Sequence, residues 1–221
     1  MTRALLQHDV RVTTIEVDTR CCETLEALAR NSAGKLSVIH GDVLEYDPPA
    51  SSGPELRFVG NLPYAIASPI LRWTVKHHKI VFDAYYMVPI DIAKRILARA
   101  GSSERALLSV LVGWCFDGKV IRRLGPGAFR PEPKIKSAFV HLQPHEPPVC
   151  TAHKQHRRAV VQGGFAHRRK TLLNSLRQSG WQRDEIERAF ATIGIDIGAR
   201  AETLEVIQFA RLAEELPELI Q

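Results

Sequence analysis

Apolar and polar positions follow two alternating periods over the first 145 residues and a single one beyond them. Residues 10–18, VRVTTIEVD, are rich in β-branched side chains and close on acids, and residues 19–31, TRCCETLEALARN, bring Leu25, Leu28 and Ala29 to helical spacing. KLSVIHGDVLEYD gives a second short strand that closes on Gly41-Asp42, a Pro/Ser/Gly loop fills residues 48–54, and LRFVG is the next strand. IASPILRWTVKHH predicts a helix capped by Ser68 with Pro69 in its first turn. VFDAYYMV reads as a strand, PIDIAKRILARA as a helix opened by Pro89, and ERALLSVLVGW as another helix. Strands and helices in alternation predict an α/β fold with a mainly parallel, doubly wound sheet. KVIRRL and IKSAFVHLQ, separated only by a loop, predict an antiparallel hairpin that closes it.

The pattern changes at QPHEPPVCTAHK, a Pro-rich linker, after which residues 155–178, 183–193 and 203–216 are all helical by spacing. The layout is therefore an α/β domain over residues 1–145 and a small all-helical domain over 150–221. No run of 18 apolar residues occurs, and the opening MTRALLQHDVR is an interrupted amphipathic pattern rather than a secretory leader. These features predict a soluble, cytoplasmic protein without a membrane partner. Cys21 and Cys22 are adjacent while Cys115 and Cys150 are distant, which suits neither a disulfide framework nor a zinc site and makes them structural thiols. The nine histidines show no ligand spacing, so no metal is expected.

Charge adds a direction. The net charge is +6, and residues 151–183 hold eight Lys/Arg and no acid, whereas acids lead by eight to five over residues 1–48 and by nine to three from 184 onward. A basic face so placed attracts a polyanion, although a solvated surface would give the same run.

Candidate chemistry sits where strands end, because ligands of open parallel sheets bind outside the carboxyl edge. Three successive strands end in Glu16 with Asp18, in Asp42 and in Asn61. A carboxylate only accepts hydrogen bonds, so Glu16 suits the two donors of a ribose diol and Asp42 an exocyclic amine on the adenine of a nucleoside-bearing cofactor. The stretch FVGNLPYAIAS, residues 58–68, ends a strand on an amide, a proline and an aromatic ring. It fits a type I turn with a satisfied Asn and a core Tyr, or a cradle for a base.

FVGNLPYAIASPIL resembles the catalytic motif of the ribosomal RNA adenine N6,N6-dimethyltransferases of the kasugamycin-resistance type. TTIEVD, HGDVLEYD, GAFRPEPKIKSAFVHLQPH, GFAHRRKTLLNSL and RAETLEVIQFARLAEEL are similar to further blocks of that family, in order and spacing, over nearly the whole chain. The resemblance implies a Rossmann-like methyltransferase fold, S-adenosyl-L-methionine as cofactor bound by Glu16, Asp42 and Asn61, and two adjacent adenines near the 3′ end of small-subunit ribosomal RNA as substrate. A monomer acting on a pre-30S particle during ribosome biogenesis is the implied setting. Asn61, Leu62, Pro63 and Tyr64 then form the catalytic cradle, in which Asn61 and the carbonyls of Leu62 and Pro63 accept from the adenine amine while Tyr64 stacks on its ring. Phe129, in AFRPEPK, is similar to the family's second aromatic at the target base. Arg168, Arg169 and Lys170, at one end of a helix whose Leu172, Leu173 and Leu176 face inward, would contact RNA phosphate.

Two departures qualify the resemblance. The family carries a Gln-Asn-Phe-Leu block and a Glu-x-Gly-x-Gly loop ahead of the position where this sequence opens with MTRALL. The first strand and glycine loop are thus expected to be missing from these 221 residues, with weakened cofactor binding and doubtful activity as the consequence. A non-catalytic RNA-binding assembly factor is the alternative. In MVPIDIAKR, the family's usual Gln-Lys-Glu is replaced by Pro89, Ile90 and Asp91.

Overall fold

The computed structural model describes residues 1–49, 53–128, 130, 132, 135–147 and 150–219. It falls into two compact units, Met1–Ala50 and Ser51–Gln221. The first begins with a short helix α1 (Thr2–Leu5), followed by β1 (Val12–Glu16), α2 (Thr19–Arg30) and β2 (Leu36–His40). β1 and β2 pair in parallel, from Val12 opposite Leu36 to Glu16 opposite His40. Asp18 starts α2 by accepting from the Arg20 and Cys21 amides, as an N-cap carboxylate should. Cys22 on α2 and Leu36 on β2 are this unit's buried apolar side chains among the described residues.

The second unit comprises β3 (Leu56–Asn61), α3 (Ala67–Lys76), β4 (Val81–Pro89), α4 (Ile90–Ile96), α5 (Leu107–Gly113), β5 (Phe116–Leu124), β6 (Ser137–Pro144) and four further helices. Its sheet has the order β3-β4-β6-β5, with β3 and β4 parallel and β6 antiparallel to both neighbours. The expected α/β fold is present, with its strands among the described residues in a parallel pair and a mixed four-stranded sheet rather than in one mainly parallel sheet. The expected antiparallel hairpin is β5-β6, and because β6 also pairs antiparallel with β4 it makes this sheet mixed.

Alternation along the strands sets the core. Tyr86 and Val88 of β4 and Ala138, Val140 and Leu142 of β6 are buried, as are Ile70, Leu71, Ala93, Ile96, Leu108 and Val112 on α3, α4 and α5. These side chains supply the apolar area that holds the layer together. α3 begins one residue before the expected cap: Ile66 occupies that position without a side-chain bond, and Ser68 lies inside the helix. α5 begins at Leu107 rather than at Glu104, because Ala106 is extended and Arg105 turns inward. The Arg105 guanidinium donates to the carbonyls of Ala98 (2.9 Å) and Leu204 (2.8 Å), tying the α/β layer to the helices that follow.

Those helices are α6 (Lys154–Phe165), α7 (Leu172–Gln178), α8 (Arg183–Ile193) and α9 (Val206–Glu215). The expected continuous helix over 155–178 is broken: Thr171 caps α7 by accepting from the Asn174 amide, and residues 166–170 turn. Gly194 ends α8 in the left-handed conformation at φ 78°, where a side chain would be strained. The linker expected at 145–150 lies inside this unit, between the end of β6 at Pro144 and the start of α6 at Lys154. Among the described residues no helix is long and apolar enough to cross a membrane.

Candidate active site

β3 and β4 run in parallel, so the chain leaving Asn61 emerges beside Met87, and the antiparallel β6 starts at the same edge with Ser137 opposite Pro89. Residues 61–64 sit on this edge. Leu62 turns into the core, with 6% of its surface exposed, and its amide donates to the Met87 carbonyl at 3.0 Å. Space for that inward turn comes from Gly60, since a β-carbon there would stand 2.7 Å from Leu62 Cδ2 and 3.3 Å from the Tyr86 ring. Tyr86 is fixed in turn by its buried hydroxyl, 2.8 Å from Thr74 Oγ1. Burial holds this phenol well above its ordinary range, partly offset by the Thr74 bond, so it stays neutral as core.

With Leu62 inward, its neighbours face out. Asn61 is exposed, and among the described residues its carboxamide has no hydrogen-bond partner. Tyr64 is 37% exposed, and its hydroxyl meets Ser137 Oγ at 2.7 Å. Ser137 is fully buried, so the ring is pinned at its tip while the residue stays part-exposed. Neither half of the turn reading, a satisfied Asn and a core Tyr, describes this geometry. One detail differs from expectation: the Pro63 carbonyl accepts from the Ile66 amide at 3.1 Å, whereas the Leu62 carbonyl has no hydrogen-bond partner among the described residues. Ser137, 73 positions from Tyr64, was not read from the sequence as a site residue. Phe129 lies outside the described residues.

Glu16 and Asp42 share the carboxyl edge of the first unit, where the Gly41 amide donates to the Glu16 carbonyl at 2.9 Å. Glu16 Oε1 accepts from the amides of Val17 (2.9 Å) and Asp18 (3.0 Å), and Asp42 Oδ1 from that of Leu44 (2.8 Å). Each carboxylate thus keeps one oxygen that no described residue engages. Asp18, by contrast, is committed to capping α2.

Arg168, Arg169 and Lys170 lie in the turn before α7, and all three are exposed. Arg168 donates to the Ser103 carbonyl at 2.7 Å, so its guanidinium is already anchored to the loop before α5. Arg169 and Lys170 make no ion pair with described residues.

The family model described as ribosomal RNA adenine dimethylase matches residues 1–218. A protein named ribosomal RNA small subunit methyltransferase A from Brucella abortus biovar 1 (strain 9-941) is 37% identical over 219 residues, 96% of this chain and 77% of that protein. Its namesake from Xanthomonas oryzae pv. oryzae (strain PXO99A) is 40% identical over 222 residues, 98% of this chain and 81% of that protein. Among solved structures, the 23S rRNA methyltransferase ErmE superposes with a TM-score of 0.69 at 26% identity, covering 97% of this chain and 85% of that one. A dimethyladenosine transferase from Plasmodium falciparum superposes with a TM-score of 0.76 at 21% identity, covering 96% and 83%, a likeness of fold.

Proposed function

The chain belongs to the ribosomal RNA adenine dimethylase family, and from that premise we propose that it dimethylates N6 of two adjacent adenines in small-subunit ribosomal RNA, with residues 61–64 as the base cradle. One observation carries this reading: an exposed Asn61 amide that no described residue engages, beside a part-exposed Tyr64 pinned at its hydroxyl. The relatives are named methyltransferases, which favours an enzyme over a binding-only factor.

The family uses S-adenosyl-L-methionine, and when bound it supplies a methyl group on a positively charged sulfur. The acceptor set on the first unit fits its nucleoside half, since Glu16 and Asp42 each retain an oxygen for ribose hydroxyls and the adenine amine. Asn61 Oδ1 and the Leu62 carbonyl accept the two N–H bonds of the target amine, which draws its lone pair out of conjugation with the ring. Tyr64 stacks on the extruded base, worth roughly 1–3 kcal/mol. With the cofactor bound, its methyl group would be available to the adenine nitrogen that Asn61 and Leu62 hold, and the proton released from that amine would pass to water. No general base is needed at the moment of attack. Pro63 fixes its own φ and restrains Leu62, so the acceptors are placed before the base arrives. Arg169 and Lys170 contact RNA phosphate, and the setting is a monomer acting on the pre-30S particle in the cytoplasm.

The test is transfer of labelled methyl to small-subunit RNA, run beside RNA binding. Asn61→Ala should abolish transfer and leave RNA affinity within about twofold. Equal transfer by both proteins would defeat the cradle.

A further inference from the structure

One turn past the cradle, an open cleft of about 190 Å³ separates three helices, lined by Ser68 and Arg72 of α3, Arg95 of α4, and Leu107, Leu108 and Leu111 of α5. Ser68 and Arg72 are four positions apart and share a face of α3, as Leu107 and Leu111 do on α5. The lining thus combines three leucines with two arginines and a serine. No carboxylate lines it. Neither arginine is ion-paired with any described residue; the acid on α4, Asp91, instead meets Lys94 at 3.9 Å.

Two like charges around one small cleft repel, and the leucines remove part of the water that would screen them. An anion between them reverses that balance. Arginine presents a planar fork that matches the oxygens of a phosphate, and a nearby hydroxyl can donate to a third oxygen. Position selects which phosphate. Ser68 follows Tyr64 by four residues, so its Cα lies at most ~14 Å from that of the stacking ring, within reach of the nucleotides that flank a base held there.

We propose that this cleft seats a backbone phosphate of the RNA strand flanking the target adenine, clamped by Arg72 and Arg95 with Ser68 donating. The inference rests on the cradle reading of residues 61–64 and adds a register device to it: phosphate contacts carry no sequence information but fix which base stands at the site.

The probe is a fluorescent single-stranded RNA of about a dozen nucleotides carrying two adjacent adenines, titrated with the whole chain over a range of salt. The double variant Arg72→Gln, Arg95→Gln should lower the slope of log affinity against log salt by ~0.7 for the one phosphate lost. Replacing single phosphates near the adenines by neutral methylphosphonate should give the same drop at one position in the unaltered chain and none there in the double variant. An unchanged slope, or a variant as sensitive as the parent at every position, would overturn the proposal. Arg72→Gln alone, on an exposed side chain, guards against a folding defect and should show part of the drop. Methyl transfer with no slope difference would remove the cleft and keep the cradle. A slope difference without any Asn61-dependent transfer would keep the anion site and remove the cradle.

Discussion

The bond between Tyr64 and Ser137 makes a prediction whose sign comes from burial alone. Ser137 is fully buried and Tyr64 is 37% exposed, so the two ends of the 2.7 Å contact are not equivalent. Ser137→Ala removes a hydroxyl and leaves the phenol free to turn to water, a loss of about 0.5–1.5 kcal/mol for a neutral hydrogen bond. Tyr64→Phe strands the serine hydroxyl in the core, which costs about 1–3 kcal/mol. Urea unfolding should therefore rank Tyr64→Phe as the more destabilised single variant, and adding Ser137→Ala to it should recover part of the loss. Activity should follow a different order. If the contact orients the ring, both single variants lower methyl transfer by similar factors, the double variant is no worse than either, and Tyr64→Ala is lowest, by about 5-fold to 150-fold for the ~1–3 kcal/mol of stacking removed. Strictly additive effects of the two substitutions, in stability or in rate, would refute the orienting role. So would a Ser137→Ala protein less stable than Tyr64→Phe.

Two further outcomes follow from buried titrating groups. Burial first, opposed by the Val75 carbonyl contact and reinforced by the cations Lys154, Lys79 and Arg157, holds His78 below its ordinary 6.5. The unfolded chain then takes up its proton before the folded one, so stability is full above 6.5 and is lost as pH falls through 6.5 toward the lowered value; His78→Gln should flatten that part of the urea midpoint curve, and an unchanged curve would contradict the assignment. Burial pushes the Cys115 thiol up to about 11, whereas Cys21 is exposed; iodoacetamide at about pH 8 should alkylate Cys21 and spare Cys115 until urea unfolds the chain, as peptide mass spectrometry would show.

How far the sequence alone carries the site depends on whether a feature is local. Asn61 to Tyr64 are contiguous, and the apolar run Phe58-Val59-Gly60 closing on an amide and a proline already says that the polypeptide leaves a sheet there. The strand ends at Glu16 and Asp42 are legible for the same reason. Ser137 is not, because its role depends on an antiparallel strand bringing it beside Pro89, a long-range pairing that no spacing encodes. The break between α6 and α7 is hidden by apolar residues that keep helical spacing on both sides of it; only Thr171, set three positions before Asn174, signals a new start. Arg105 misleads more strongly, since a charged residue at the head of ERALLSVLVGW reads as solvated and is instead 3% exposed, bridging two carbonyls 106 positions apart.

The geometry of residues 61–64 also explains why an Asn-Leu-Pro-Tyr order suits the chemistry better than its parts would separately. A purine amino group has two N–H donors, and the loop offers two acceptors that no described residue engages, Asn61 Oδ1 and the Leu62 carbonyl. The third carbonyl, of Pro63, is used internally by Ile66, which closes the turn into α3 and fixes the direction of the other two. Leu62 anchors the loop from below, in the space that Gly60 leaves, so a base arriving from solvent meets groups already oriented. Exchanging the roles of Leu62 and Asn61 would bury an amide without a partner, at about 1–3 kcal/mol, and expose the plug that holds the turn. Function and packing therefore constrain adjacent residues in opposite directions, and the space at Gly60 lets both be satisfied at once.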